Sequence, residues 1–460
     1  MRAFVLLSLC ASLALTGPTP AQQVPASDTE IKLSYAPVVR QSAPAVVNIY
    51  ASWVTERHAS PFANDPFFSQ FFEGFGQTMP RVENSLGSGV IVDPAGIVVS
   101  NYHVVQEATD IRVVLADRRE FDGEVLLSDR EADIAVIRLD QAEDLPALAF
   151  ADSEAAEVGD LVLAIGNPFG VGQTVSSGIV SATARTGAAT RQRSGYFIQT
   201  DAPINPGNSG GALVDMSGQL LGLNTSILTR SGGSNGIGFA IPANLVAQYV
   251  EQAKAGRDSF ARVWSGISVQ QVDAGLAQAL GQAVPAGVLV SEMHPESPFA
   301  AAGLQAGDVI LSVDGLPVHA GDALEYRLLT LGAGAVATIE LLRDGKSETV
   351  SVALSEAPGD EAEPVRIEGR SPLAGLIVAD ITPQLIDQLD LSVGASGLIV
   401  LRAGGASARL GLRTGDIVVR LNGQDITDSV QFKAMIDRGA RAWDMQLARS
   451  GRLLRLRVRN

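Results

Sequence analysis

Asp201-Ala-Pro-Ile-Asn-Pro-Gly-Asn-Ser-Gly-Gly211 is the stretch on which the reading of this chain turns. Gly207, Gly210 and Gly211 hem in Ser209, and Pro203 and Pro206 precede it, a composition suited to a rigid turn that presents one hydroxyl outward. The two glycines after the serine leave space where a substrate carbonyl would lie, and the Gly207 and Ser209 amides can converge on a developing oxyanion. An ordinary glycine-rich hairpin turn has the same composition, so the histidines carry the next step. The chain holds four. Only His103, in Val99-Ser-Asn-Tyr-His-Val-Val105, lies in a β-branched run that reads as a strand end.

Outward from Ser209 the pattern is short β runs split by turns. One series runs from the strand near Val47 through Gly87–Val92, Ile97–Ser100, Ile111–Leu115, Gly123–Leu127 and Ile134–Leu139. A second covers Leu161–Ile165, Thr174–Val180, Tyr196–Thr200, Gly211–Val214, Leu220–Asn224 and Gly236–Ile241. Two such sets predict two small closed barrels, with His103 in the first, Ser209 in the second and a site in the cleft between. A carboxylate is needed to fix the imidazole tautomer. Asp133 fits because it opens the strand Ile134–Leu139 with its side chain turned inward. Asp129 is the runner-up, but its turn Ser-Asp-Arg-Glu reads as solvated. The chain order His, Asp, Ser is that of chymotrypsin-like enzymes.

Length and composition set the bounds. The 460 residues predict two to four domains. With 46% apolar residues, 47 glycines and 22 prolines, the balance suits turn-rich β domains. A net charge of −16 from scattered acids argues against a nucleic-acid partner. Residues 1–21 read as a secretory signal peptide cut near Ala21, with an apolar run of about thirteen residues against the roughly 20 that span a bilayer. The single cysteine, Cys10, falls within it, so the mature chain is expected to fold without disulfides. Export to the periplasm follows. Residues 22–84 read as an amino-terminal arm, with a strand at 45–52 and an aromatic loop, Pro61–Phe75, that covers either a neighbouring subunit, the active site or its own core.

Gly-Asn-Ser-Gly-Gly at 207–211, Ser-Asn-Tyr-His-Val-Val at 100–105, Ala-Asp-Ile-Ala-Val at 132–136 and Ala-Ile-Gly-Asn-Pro-Phe-Gly at 164–170 together resemble the HtrA/Do (Deg) family of ATP-independent periplasmic serine endoproteases, over nearly the whole mature chain. The resemblance implies His103 as general base, Asp133 as its orienter, Ser209 as nucleophile and the Gly207 and Ser209 amides as oxyanion hole, with no cofactor and no metal. By the same resemblance Pro203 lies near the base of the S1 pocket. Ile204 stands beside it and Ile237 to Ile241 form the opposite wall. No acid there awaits a basic side chain, so cleavage after small aliphatic residues is expected. The resemblance also makes Ser181–Ser194 a sensor loop, with Arg185 as its relaying arginine. Thr225–Asn235 reads as a second polar loop, and Pro242–Gly256 as a helix closing a protease domain of residues 85–258.

The carboxyl-terminal half repeats. Gly303-Leu-Gln-Ala-Gly-Asp308 recurs as Gly411-Leu-Arg-Thr-Gly-Asp416, and Leu342-Arg-Asp-Gly-Lys346 as Ala448-Arg-Ser-Gly-Arg452. Both copies resemble PDZ domains, placed at 259–356 and 372–460 around a linker at 357–371. A PDZ domain takes an extended peptide as an added strand and cradles its terminal carboxylate in backbone amides. The cradles should be Val263-Trp264-Ser265-Gly266-Ile267 and Pro372-Leu-Ala-Gly-Leu376, with Leu329–Leu331 on the first groove helix. Ser265 departs from the apolar residue usual there. His294 and His319 read as solvated loop residues.

The reading is a mainly β, chymotrypsin-like double barrel followed by two PDZ domains. It is a serine endopeptidase of unfolded or damaged proteins with chaperone-like holding, binding hydrophobic C-terminal tails and assembling as a trimer or its multiples. The rival from another class is a proteolytically idle scaffold that grips C-termini.

Overall fold

The computed structural model describes residues 34–59, 77–106, 108–167, 172–186, 196–205, 207–227, 236–359, 363–369, 371–449 and 451–459. The expected signal peptide, the aromatic loop Pro61–Phe75 and most of the expected sensor loop lie outside them.

Helix α1 (Ala36–Ser42), opened by a proline, leads into the first barrel. Its strands are β1 (Val46–Ala59), β2 (Gln77–Asp93), β3 (Ile97–Ser100), β4 (Asp110–Val114), β5 (Glu120–Asp129) and β6 (Ile134–Leu139). They close in the order β1-β2-β3-β6-β5-β4, all antiparallel. One helical turn, α2 (Tyr102–Val105), follows β3. The second barrel is β7 (Leu161–Gly166), β8 (Thr174–Thr186), β9 (Tyr196–Thr200), β10 (Ala212–Val214), β11 (Leu220–Ile227) and β12 (Gly238–Pro242), closed as β10-β11-β12-β9-β8-β7. The apolar runs explain both closures. Ile134, Ala135, Val136 and Ile137 are each fully buried, because one face of β6 fills its barrel while the other lies under α3 (Ala243–Lys254). Burying each such aliphatic side chain contributes about 1.5–3 kcal/mol. On α3 the residues Leu245, Val246, Tyr249, Val250 and Ala253 recur at helical spacing and face inward, and Gly256, at φ 84°, ends the helix.

Two further sheets follow. The first holds β13 (Ile267–Gln271), β14 (Val288–Met293), β15 (Val309–Val313), β16 (Leu316–Pro317), β17 (Val336–Arg343) and β18 (Lys346–Ala353), with helix α4 (Gly321–Leu331) between β16 and β17. The second holds β19 (Val365–Arg366), β20 (Leu376–Asp380), β21 (Leu398–Ala403), β22 (Ile417–Leu421), β23 (Gln424–Asp425), β24 (Ala442–Arg449) and β25 (Arg452–Arg459), with α5 (Ser429–Asp437) between β23 and β24. Strand orders correspond, β13-β14-β15-β17-β18 against β20-β21-β22-β24-β25, with β19 added to the edge of the second. The sequence repeat records one ion pair made twice, a buried carboxylate held by a partly exposed arginine. Arg343 is bidentate on Asp308 (2.8 and 2.6 Å) and donates to the Gly303 carbonyl; Arg449 does the same to Asp416 (2.6 and 2.8 Å) and Gly411. The planar guanidinium fork suits that double contact, and losing one partner would leave a buried charge uncompensated.

Several expectations shift. The strand at 45–52 continues to Ala59 and pairs with β2 from Gln77, so a long hairpin projects into what reads as arm. Residues 181–186 belong to β8, whose register shifts between Val180 and Ala182 and again before Arg185 let it bend while staying paired with β9. Thr225 to Ile227 extend β11 rather than a loop. The expected linker contains β19. Asp129 is not solvated: burial works against its charge, but Arg262 at 3.0 Å, the Tyr249 hydroxyl at 2.7 Å and two backbone amides outweigh it and hold the carboxyl below its ordinary range.

Candidate active site

His103 sits on the single turn α2, entered through Asn101 in an extended conformation (φ −80°, ψ 147°). The buried Asn101 side chain donates to the Asp133 carbonyl at 2.9 Å, tying the two segments together. Asp133 takes a left-handed backbone (φ 58°) just before β6, a conformation Asp tolerates better than most residues and one that sites hold at about 1–3 kcal/mol. Its carboxylate is thereby turned under the imidazole. His103 Nδ1 lies 2.9 Å from both Asp133 oxygens, and the His103 amide donates to Oδ1 at 3.1 Å. A carboxylate only accepts, so Nδ1 carries the proton and Nε2 is left as a base. The imidazole is 45% exposed while the carboxylate is 7% exposed, so the ring reaches the cleft from a sheltered anchor. Of the two carboxylates, Asp133 is the one that meets His103.

Ser209 comes from the other barrel, on the turn between β9 and β10. Gly210 is required there: its φ is 79°, and a Cβ would lie 2.1 Å from the Ser88 carbonyl oxygen. Ser88 is the fastening between the barrels. Its amide donates to the Ser209 carbonyl (2.9 Å) and its hydroxyl to the Gly207 carbonyl (2.6 Å), while that hydroxyl accepts from the Asn167 amide (2.9 Å) and its carbonyl accepts from Ser100 Oγ (2.8 Å). Among the described residues no acceptor engages the Gly207 or Ser209 amide. The Ser209 hydroxyl donates to the Thr225 carbonyl (3.1 Å) rather than to His103. Thr225 Oγ1 in turn donates to Asp133 Oδ2 at 2.6 Å.

Thr225 and Ser88 are thus functional neighbours that the sequence reading missed. Thr225 lies at the register shift of β11, between Asn224 and Ser226, which aims its side chain out of the ladder pattern. Thr225→Val keeps the shape and removes the donor to Asp133. We expect it to cost about 1–3 kcal/mol of transition-state stabilisation, roughly five- to 150-fold in kcat/KM, with the melting temperature little changed.

The expected pocket is partly assembled. Pro203 is exposed and accepts from Ser176 Oγ (2.7 Å), and Ile204 is buried against β12, where a Cβ on Gly238 would meet its Cδ1 at 2.7 Å. Ile204 clusters with Ala202, Leu213 and Ala240. Ile237 and Ile241 do not oppose it: with Phe239 they belong to the large core on the other side of the strand, so Gly238 is the facing wall. Arg185 pairs with Phe197 through the backbone of β8 and β9.

In the first carboxyl-terminal sheet Trp264 is 3% exposed and edge-on to His294 at 5.4 Å, so one side of the half-buried His294 ring is packed, while His319 is exposed. Gly266 has φ 60°, its carbonyl accepts from the His294 amide (2.8 Å), and the Ser265 carbonyl accepts from Ser297 Oγ (2.6 Å). No acceptor among the described residues engages the Ser265 or Gly266 amide, and Ile267 opens the free edge strand β13. Helix α4, which carries Leu329–Leu331, also docks on the barrels. Tyr326 stacks on Tyr196 (4.0 Å, 9°), Arg327 pairs with Glu154, and Gln248 Nε2 donates to the Thr330 carbonyl (3.0 Å).

Residues 87–223 match the trypsin-like peptidase domain and residues 265–354 the PDZ domain. The periplasmic serine endoprotease DegP of Escherichia coli (strain K12) is 36% identical over 459 residues, covering 94% of this chain and 93% of its own. The chain belongs to the DegP family. A probable DegP-like periplasmic serine endoprotease of Pseudomonas putida (strain W619) is 37% identical over 448 residues, 93% of this chain and 91% of its own. Among solved structures, the HtrA-type protease AlgW with decapeptide is 39% identical, with a TM-score of 0.52, covering 71% of this chain and 100% of that one. As a DegP-family member the chain is a serine endopeptidase of the periplasm that binds peptide substrates. No helix among its described residues is long and apolar enough to cross a membrane.

Proposed function

We propose that Ser209 is the nucleophile, His103 the general base and Asp133 the residue that orients it. The observation that carries this is the bidentate seating of His103 Nδ1 on a buried carboxylate, which leaves Nε2 to take a proton. In the resting arrangement the serine hydroxyl rests on the Thr225 carbonyl; rotation about its own Cα–Cβ bond is the movement that brings it to Nε2. Attack on a peptide carbonyl then places the oxyanion before the unengaged Gly207 and Ser209 amides, and the imidazolium formed beside Asp133 returns its proton to the leaving amine. Water repeats the cycle on the acyl-enzyme. The chemistry needs neither cofactor nor ATP.

The substrates are unfolded or damaged proteins, held as well as cut, and cleaved after small aliphatic residues. Pro203 offers an exposed apolar surface over the buried Ile204 and Gly238, with no charge among the three for a basic side chain. The first PDZ domain offers, among the described residues, an open edge at β13 and unengaged Ser265 and Gly266 amides, fitting a hydrophobic C-terminal tail; Ile267 opens the edge strand and the buried Trp264 packs against the Gly266 turn. Arg185, at the end of β8, carries occupancy toward the site, and the amino-terminal arm holds a trimer. We divide the chain into an arm and aromatic loop at 22–84, a protease domain at 85–258 that also takes the strand at 45–52, a PDZ domain at 259–356 and a second that follows it, with β19 paired to its edge strand.

A fluorophosphonate probe tests the assignment. Mass spectrometry should find the adduct on Ser209, forming faster with client peptide bound and more slowly in His103→Ala. No adduct, even with peptide bound, would leave only the idle peptide-gripping scaffold.

A further inference from the structure

We propose that the peptide groove of the second PDZ domain is occupied by this chain's own residues 365–367, so that external tails are captured by the first PDZ domain alone. The inference rests on reading both carboxyl-terminal sheets as PDZ domains, and concerns what fills the second.

The two cradles match bond for bond on one side. The Gly404 amide donates to the Gly375 carbonyl (3.0 Å) as that of His294 does to Gly266 (2.8 Å), and Leu376 pairs with Ala403 as Ile267 does with Met293. Gly375, at φ 89°, sits where a Cβ would lie 2.3 Å from the Gly404 oxygen, so this turn is fixed in shape. The other side differs. Among the described residues the edge of β13 is free, whereas the corresponding edge of β20 carries β19, antiparallel, with Val365 opposite Val378 and Arg366 opposite Ile377. The Ile367 amide donates to the Leu376 carbonyl (2.8 Å), and the Gly375 amide donates to the Ile367 carbonyl (2.9 Å).

A bound tail makes these same kinds of contact. It adds antiparallel to the strand after the cradle, its last residue lies beside the first residue of that strand, and its terminal oxygen accepts from the cradle amides. The Ile367 carbonyl takes the place of that oxygen. The other cradle donors are also spent, the Ala374 amide on the Ser371 carbonyl (2.9 Å) and the Leu376 amide on that of Leu373 (3.2 Å). Ile367 itself is 2% exposed, in one cluster with Leu373, Leu376 and the groove-helix residues Phe432 and Ile436, as the terminal aliphatic side chain of a tail would be. The tether makes this ligand effectively concentrated: a short linker supplies a local concentration of order millimolar, above what a tail of micromolar affinity overcomes at low concentration.

The test uses the full chain with Ser209→Ala to prevent cleavage and Cys10→Ser to remove its one cysteine. Arg366 and Ile377 face each other across the pair, so Arg366→Cys/Ile377→Cys should cross-link under mild oxidation, and failure to do so overturns the proposal. A peptide ending in a β-branched aliphatic residue should titrate to about one per chain, cross-linked or not. Ile367→Asp should release the strand and raise this to about two. A second peptide bound to the cross-linked chain overturns the proposal, as does peptide binding that survives loss of the first cradle through Gly266→Val. If no variant binds peptide but the cross-link forms, the tail-binding reading of the first domain falls and the occupied groove stands.

Discussion

Ser209→Ala is expected to reduce kcat/KM on an unfolded protein substrate by roughly 10⁶-fold, because removing the nucleophile of an acyl-transfer site forfeits the covalent route and leaves only the oxyanion donors and binding. The structure separates that loss from any loss of fold. Among the described residues the hydroxyl makes one hydrogen bond, to the Thr225 carbonyl, while the turn is held by bonds that do not involve it: the Ser209 carbonyl to the Ser88 amide and the Gly207 carbonyl to the Ser88 hydroxyl, both across to the first barrel, and the Gly210 amide to the Asn224 carbonyl within its own. Alanine keeps them. The lost bond is worth about 1 kcal/mol, so melting temperature should move by only a few degrees and peptide binding at the first PDZ domain should persist. Residual activity above about one per cent of wild type, with contaminating protease excluded by inhibitor controls, would mean that another group attacks the carbonyl.

What could be read from the sequence was what announces itself locally. Ser209 stands among glycines whose only shared purpose is a tight turn, and His103 ends a β-branched run; the strand series around them set both barrels. Asp133 was legible because it immediately precedes an apolar strand. The residues that escaped act across the fold. Thr225 meets Asp133 over 92 positions and Ser88 meets Gly207 over 119, and nothing near either in sequence marks it out from other serines and threonines. Asp129 was misread for the same reason: its local turn is charged, but its partner Arg262 comes 133 residues later. The linker misled through composition. Glu, Pro and Gly around residues 356–371 signal an unstructured tether, yet Val365 and Ile367 alternate about Arg366 as a short strand must, and only the open edge of β20 gives them a place to pair. The pocket wall was recoverable. Ile237 and Ile241 share the parity of Phe239, so strand alternation alone places all three on one face and Gly238 and Ala240 on the other.

Asp133→Asn is the sharper test of how the site works, because it changes almost nothing but the hydrogen-bonding sense of one group. Asparagine accepts the left-handed backbone at this position as readily as aspartate, and fits the same space. The carboxylate it replaces accepts from three donors, the His103 amide, His103 Nδ1 and Thr225 Oγ1. An amide offers one accepting oxygen and one donating nitrogen. The threonine hydroxyl can reverse and accept, but if the amide oxygen is drawn to the backbone amide of His103, the NH₂ faces either Thr225 or the imidazole. Facing the imidazole, it forces the proton from Nδ1 to Nε2 and removes the base; facing Thr225, it leaves a ring with no negative charge to stabilise its protonated form. Either way kcat should fall by about 10⁴, and labelling of Ser209 by fluorophosphonate should slow in parallel, while melting temperature and tail binding stay near those of wild type. A kcat within tenfold of wild type would show that proton transfer does not depend on this carboxylate, and the base would have to be sought elsewhere in the cleft.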